Sequence, residues 1–201
     1  VSDVSHELRT PLTTLSMASE VIYSSRESFD PHVARSAELL VSNLMRFESL
    51  LEELLEISRF DAEVAVLEVT NFDIVQSVSR CIADLQIAAR EVNAPIKLLG
   101  HDAPTVISGD ARRVERILRN LLTNAIDHAN QKPIEVTIAV SESDVAVGVR
   151  DYGDGMKESD ALQVFDRFWR ADPSRSREYG GTGLGLSIAL EDARLHNGEL
   201  E

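Results

Sequence analysis

The sequence predicts an α+β chain: a helical hairpin that pairs into a four-helix bundle, followed by an α/β sandwich. Three observations predict it. Apolar residues recur at helical spacing through two segments, Leu8, Leu12, Leu15 and Ile22, then Leu40, Leu44, Phe47, Leu51 and Leu54. Past Asp61-Ala-Glu the pattern changes to helical stretches interleaved with short β-branched runs. Finally, 201 residues that are 43% hydrophobic and 27% charged have ordinary globular composition, long enough for one or two domains.

The second apolar segment has spacings of four, three, four and three, a heptad-like seam flanked by Glu38, Glu48, Glu52 and Arg59. A break at Ser28–Pro31 separates it from the first, so the two helices form a hairpin. Two helices alone enclose too little core. The seam is therefore expected to close against a second copy as a dimeric bundle, the alternative being packing on the rest of the chain. Further on, helical spacing resumes at Asp73–Ala89, with Asp73 as N-cap. Ile96–Leu99 and Thr105–Ile107 read as short strands, and a helix follows from Asp110 to about Ala129. Ile134–Val140 and Val145–Val149 alternate around Ser141-Glu-Ser-Asp and read as an antiparallel hairpin. The last helix is expected from about Gly183 to Leu195. There is no internal repeat, and the domain division is set at residues 1–66 and 67–201.

A formal charge of −14 argues against nucleic acid or an anionic membrane surface as the main partner. A polyanionic ligand would need a metal ion and local donors. One cysteine, Cys81, excludes an internal disulfide framework, suits a reducing compartment and reads as a packing residue. No run approaches 18 consecutive apolar residues.

Residues 5 to 12, Ser-His-Glu-Leu-Arg-Thr-Pro-Leu, put a histidine, a carboxylate and a hydroxyl on about one helical turn, with His6 and Thr10 on one face. An imidazole with a carboxylate at hand to fix its tautomer can be a nucleophile as well as a base. Four downstream clusters raise that reading above a solvated surface histidine. Asn120 and Asn124 lie at i and i+4 in mid-helix, where asparagine is a poor helix former, beside the apolar Leu118, Leu121, Leu122 and Ile126. Asp151-Tyr-Gly-Asp-Gly follows a strand, its glycines permitting a tight turn and close approach to a flat ligand. Phe165-Asp-Arg-Phe-Trp-Arg leads into an arginine-rich stretch, Arg167, Arg170, Arg175 and Arg177, suited to a basic lid whose aromatics anchor it to the core. Gly180-Gly-Thr-Gly-Leu-Gly-Leu opens the last helix and offers backbone N–H groups to an anion. It is neither a Walker A sequence nor a dinucleotide-binding fingerprint.

In this order the motifs resemble those of the sensor histidine kinases of two-component signalling. Ser5–Leu12 looks like their phosphoacceptor box, the Asn120/Asn124 helix their N box, Asp151–Gly155 their G1 box, Phe165–Phe168 their F box and Gly181–Leu186 their G2 box. The resemblance implies a Bergerat-type ATP-binding sandwich behind a dimerisation and histidine phosphotransfer domain. It implies that His6 accepts the γ-phosphate of ATP, that Glu7 orients its imidazole, and that Thr10 positions water for dephosphorylating a partner response regulator. It assigns Mg²⁺ to Asn124, phosphate support to Asn120, the adenine amine to Asp151 and the base pocket to Gly153 and Gly155. Arg167, Gly181, Thr182, Gly183, Leu184 and Gly185 would complete the ATP site. The partners implied are a second copy and a response regulator. A membrane is implied only through sensor segments outside this chain, which would be the cytoplasmic portion of a longer receptor.

Two departures stand out. Many relatives carry a basic and an aromatic residue three and four positions after the second asparagine, where this chain has Asp127 and His128. Family domains also continue past Asn197-Gly-Glu-Leu with further strands, so an exposed sheet edge is expected. Other ATPases of the same fold lack a His-Glu-x-x-Thr hairpin ahead of it. A non-catalytic scaffold or a phosphatase without kinase activity is the rival from another class.

Overall fold

The computed structural model describes residues 2–100, 103–171 and 181–201, with side chains from Glu7 onward. Arg175, Arg177, Gly180 and the side chain of His6 lie outside the described residues. The chain divides into two compact units, Val1–Ala65 and Val66–Glu201.

The first unit is a helical hairpin, α1 (Ser2–Ser24) and α2 (Pro31–Asp61), joined through a 3-10 turn at Arg26–Ser28. Asp30 caps α2 by accepting from the His32 N–H, and Pro31 takes the first helical position, where its missing donor costs nothing. α1 continues through Pro11. Leu12, Ser19, Ala37 and Ile57 are buried, whereas Leu8, Leu15, Ile22, Leu40, Phe47 and Leu54 are exposed. The predicted seam is thus an open apolar face.

In the second unit, β1 (Thr70–Asp73) and β3 (Val106–Gly109) form an antiparallel pair. A separate sheet has the order β2 (Ile96–Leu99), β4 (Ile134–Val140), β5 (Val145–Asp151). β4 and β5 make the predicted hairpin, with Ile134 opposite Asp151, while β2 runs parallel to β4 with Ile96 opposite Ile134. Ile134, Val136 and Ile138 alternate inward, and α3 (Ile74–Glu91) and α4 (Ala111–His128) cover them with Ile74, Val78, Leu118, Leu122 and Ile126. Cys81 is part of this core, as expected, and burial pushes its thiol up. A short helix, α5 (Glu158–Ala161), follows β5, and α6 (Gly185–Leu195) packs on α4.

Three expectations change. β1 is a strand the sequence pattern does not reveal, because Phe72 is its lone large apolar residue. The strand expected at Thr105–Ile107 is shifted to Val106–Gly109. The Asp73 carboxylate, which caps α3 through the Val75 N–H, also accepts from the Thr105 N–H at 3.0 Å, while the Thr105 carbonyl accepts from the Ile74 N–H at 3.0 Å, so Thr105 is held by the helix cap. The last helix starts at Gly185, two residues later than expected, because Gly183 has φ +75° and lies in the left-handed region.

Candidate nucleotide site

α4 positions the amides. Asp110 caps it, accepting from the Arg112 and Arg113 N–H groups, and its apolar stripe fixes which face turns to the sheet. Asn120 and Asn124 then fall on one half-buried face. The Asn120 Nδ2 donates to the Gly185 carbonyl at 2.8 Å, so this amide ties α4 to the glycine loop. A Cβ at Gly185 would stand 3.2 Å from the Asn120 Oδ1, closer than side chains ordinarily pack.

The loop after β5 is fastened to the other end of α4. The Asp151 Oδ1 accepts from the Gly153 N–H at 2.9 Å, and Asn130 donates to Asp154 at 3.0 Å. Gly153 sits against the His128 carbonyl, where a Cβ would come within 1.9 Å. Gly155 has φ +69°, so the loop turns where only glycine is comfortable.

The stretch before residue 172 meets the stretch after residue 180. The Phe168 N–H donates to the Gly183 carbonyl at 2.9 Å, and the Arg170 guanidinium donates to the Gly181 carbonyl. A Cβ at Gly183 would lie 2.9 Å from the Phe168 carbonyl carbon. The expected aromatic anchoring is corrected here: Phe165 and Trp169 are half-buried, but Phe168 is exposed and holds through its backbone. Leu184 is fully buried, its N–H bonded to the Thr182 hydroxyl, and it leads directly into α6. Arg167 lies in the same turn as Phe168.

Near the C-terminus of α4, loss of water lifts the Asp127 carboxyl above its ordinary range, while the charges of His128 and Arg170 pull it down. Among the described residues, Arg170 thus adds its positive charge to that of His128 at this end of the helix.

Asn120, Asn124, Asp151, Gly153, Gly155, Arg167 and Gly181–Gly185 all belong to the second unit; His6, Glu7 and Thr10 belong to α1 of the first. The threonines after Thr10 turn back onto their own helix: Thr13 donates to the Arg9 carbonyl and Thr14 to the Thr10 carbonyl. The sequence reading missed a set of residues behind the site. Arg113 and Arg116 extend the Asn120/Asn124 stripe and pair with the buried Asp192 of α6. A charged residue amid the apolar Ile188, Ala189 and Ala193 was the available signal.

Comparison with known proteins follows the same division. Residues 1–63 match the family model of the His Kinase A (phospho-acceptor) domain, and residues 109–201 that of the histidine kinase-, DNA gyrase B-, and HSP90-like ATPase. The chain is similar to the sensor histidine kinase MtrB of Mycobacterium tuberculosis (strain ATCC 25618 / H37Rv), 55% identical over 201 residues, covering all of this chain and 35% of that protein. It is 39% identical to the histidine-protein kinase AfsQ2 of Streptomyces coelicolor, covering all of this chain and 38% of that protein. The chain thus spans about a third of the length of these curated relatives. Among solved structures, full-length ShkA in complex with AMPPNP matches with TM-score 0.82 and 22% identity, over 98% of this chain and 40% of that one. The Acinetobacter baumannii histidine kinase AdeS matches with TM-score 0.65 and 22% identity, over 94% and 86%.

Proposed function

The chain belongs to the histidine kinases, and from that premise we propose that it binds ATP in the second unit and transfers the γ-phosphoryl group to His6. The observation that carries the reading is the bond from Asn120 to Gly185, which joins the asparagine helix to the glycine loop opening α6. That junction supports a site with amides on one side and helix N-terminal N–H groups on the other, suited to a phosphate chain. The missing room for a Cβ at Gly153 seats the loop tightly on the end of α4, which supports a fixed placement of Asp151 beside the base. With one Asp151 oxygen occupied by the Gly153 N–H, the other suits the exocyclic amine of adenine.

In this reading the His6 imidazole attacks the γ-phosphorus in line, a P–N bond forms, and the bond to the β,γ-bridging oxygen breaks. ADP leaves with that electron pair. Glu7 holds the proton on the ring nitrogen that does not attack, which keeps the reacting nitrogen's lone pair free. Mg²⁺, for which the Asn124 carboxamide oxygen is a suitable ligand, would offset phosphate charge when bound. Arg167 and Arg170 add positive charge beside the loop. Phosphohistidine then passes the group to an aspartate of a response regulator. Thr10, one turn from His6, would orient water for the reverse task of regulator dephosphorylation.

The hairpin is proposed to pair with a second copy through its open face of Leu8, Leu15, Ile22, Leu40, Phe47 and Leu54. Incubation with γ-labelled ATP tests the kinase reading. Label should appear on protein, be lost in acid and survive alkali, and vanish in His6→Gln while ATP binding persists. Acid-stable label, or label retained by His6→Gln, would overturn it.

A further inference from the structure

Asp192 is completely buried in the middle of α6, at 0% exposure. A carboxylate in that position is strongly unfavourable unless its charge is paired and its oxygens are hydrogen-bonded. Both requirements are met from α4. Arg116 grips the two oxygens with a fork, Nε to Oδ2 at 2.6 Å and Nη2 to Oδ1 at 2.7 Å, and Arg113 adds Nη1 to Oδ1 at 2.8 Å. Arg113 also faces the Asp110 carboxylate at 3.6 Å. His196 closes the far end, with Nδ1 2.7 Å from the Asp192 carbonyl and Nε2 accepting the Asp110 N–H at 3.0 Å.

Fork geometry has directional consequences that apolar packing lacks. A bidentate arginine–carboxylate pair fixes both distance and orientation. Sliding α6 along α4 would leave a buried charge without partners, so the cluster admits one axial placement. The same α4 face continues from Arg116 to Asn120, where the amide bonds the Gly185 carbonyl, and on to Asn124. As the contacts advance along α4 they recede along α6, from Asp192 to Gly185, so the two helices lie antiparallel. The N–H groups that open α6 and the Asn124 carboxamide therefore sit at the same end of the pair. The adenine side has its own fastenings, Gly153 on the His128 carbonyl and Asn130 on Asp154, which do not involve α6.

We infer that Asp192 is a positioning residue for phosphate binding: with Arg113 and Arg116 it sets the axial placement of α6 on α4, and so the spacing between the Asn124 carboxamide and the N–H groups of the Gly185 helix start. This rests on the nucleotide reading of the site. It separates the two halves of the ligand. Loss of the clamp weakens the grip on phosphates and leaves the grip on the base intact.

The test uses the full chain and two probes, Mg-AMPPNP and adenosine. In Asp192→Asn the Kd for Mg-AMPPNP should rise about tenfold, as for other residues that orient ligand groups from behind, while the adenosine Kd stays within about twofold. A residue that merely stabilised the domain would not discriminate between the probes. Arg116→Gln removes the fork and leaves Arg113 on the carboxylate, so it should give the same selective loss; it decides the matter if circular dichroism shows Asp192→Asn unfolded. Equal loss for both probes in a folded variant, or no loss for either, overturns the inference. Failure of the unsubstituted chain to bind Mg-AMPPNP would instead bring down the nucleotide reading, and this inference with it.

Discussion

Gly153 meets the end of α4 so closely that a Cβ on it would stand 1.9 Å from the His128 carbonyl oxygen. No rotamer relieves that overlap, because the Cβ position is fixed by the Gly153 backbone and the opposing oxygen belongs to the His128 main chain. In Gly153→Ala the loop after β5 must move off the helix, carrying Asp151 with it. Mg-AMPPNP affinity measured by calorimetry should fall at least about tenfold, since binding groups displaced by an ångström lose most of their worth. Affinity within a factor of about two of the unsubstituted chain would show that the loop does not form the base pocket.

The two asparagines of α4 should separate in their effects. Asn120 has a partner in the fold, the Gly185 carbonyl, and Asn124 is assigned to ligand. Asn120→Ala should cost about 1 kcal/mol of stability as well as ATP affinity, because a half-buried carbonyl loses its donor. Asn124→Ala should leave the melting temperature unchanged and abolish autophosphorylation. Paired thermal melts and labelling assays distinguish them; equal melting temperatures for Asn120→Ala and the unsubstituted chain would contradict the assignment.

Acid sensitivity should centre on Asp110. Burial pushes its carboxyl up, but the N–H groups of Glu68, Arg113 and Arg112 together hold it below the usual carboxylate value. A folded value below the unfolded one means that the stabilisation is fully present above the unfolded value and is lost as pH falls through the folded one. Urea midpoints should therefore decline from about pH 5 downward, with a shallower decline in Asp110→Asn. Asp110→Ala should cost about 1–2 kcal/mol near neutrality as a lost N-cap. An acid limb unchanged in Asp110→Asn would place the effect elsewhere.

The open face of the hairpin makes a prediction about mass. Leu40→Glu with Phe47→Glu places two carboxylates on the seam without touching the buried Ala37 or Ile57. Sedimentation should find the unsubstituted chain dimeric and the double variant monomeric and still helical. A double variant that remained dimeric would move the interface to another surface.

What the sequence made legible was local. The periodicity of α3 and α4 reports burial within a few turns, that of α2 marks an apolar face left open, and Asp73 and Asp110 announce helix starts by a side-chain bond two or three residues on. Asn120, Asn124 and the glycines stood out because each violates a local preference. Three features stayed hidden because their reason is a distant partner. β1 is written by its ladder with β3, the parallel match of Ile96 with Ile134 has no local signature, and Asp192 makes sense only beside two arginines of another helix. Phe168 misled in the opposite direction, since its type suggested burial whereas its backbone does the holding.

The parallel match of β2 with β4 has a bearing on how the site comes into being. The chain passes through β3 and all of α4 before it reaches the strand that β2 requires. α4 is therefore enclosed within the longest closure of the sheet, and such closures are entropically slow. The loop after β5 and the start of α6, which complete the proposed site, come later still in the chain. An emerging chain would hold every residue of the asparagine helix and yet have no grip on nucleotide until this closure is made. Acquisition of ATP affinity during refolding would thus mark a chain in which this closure has been made.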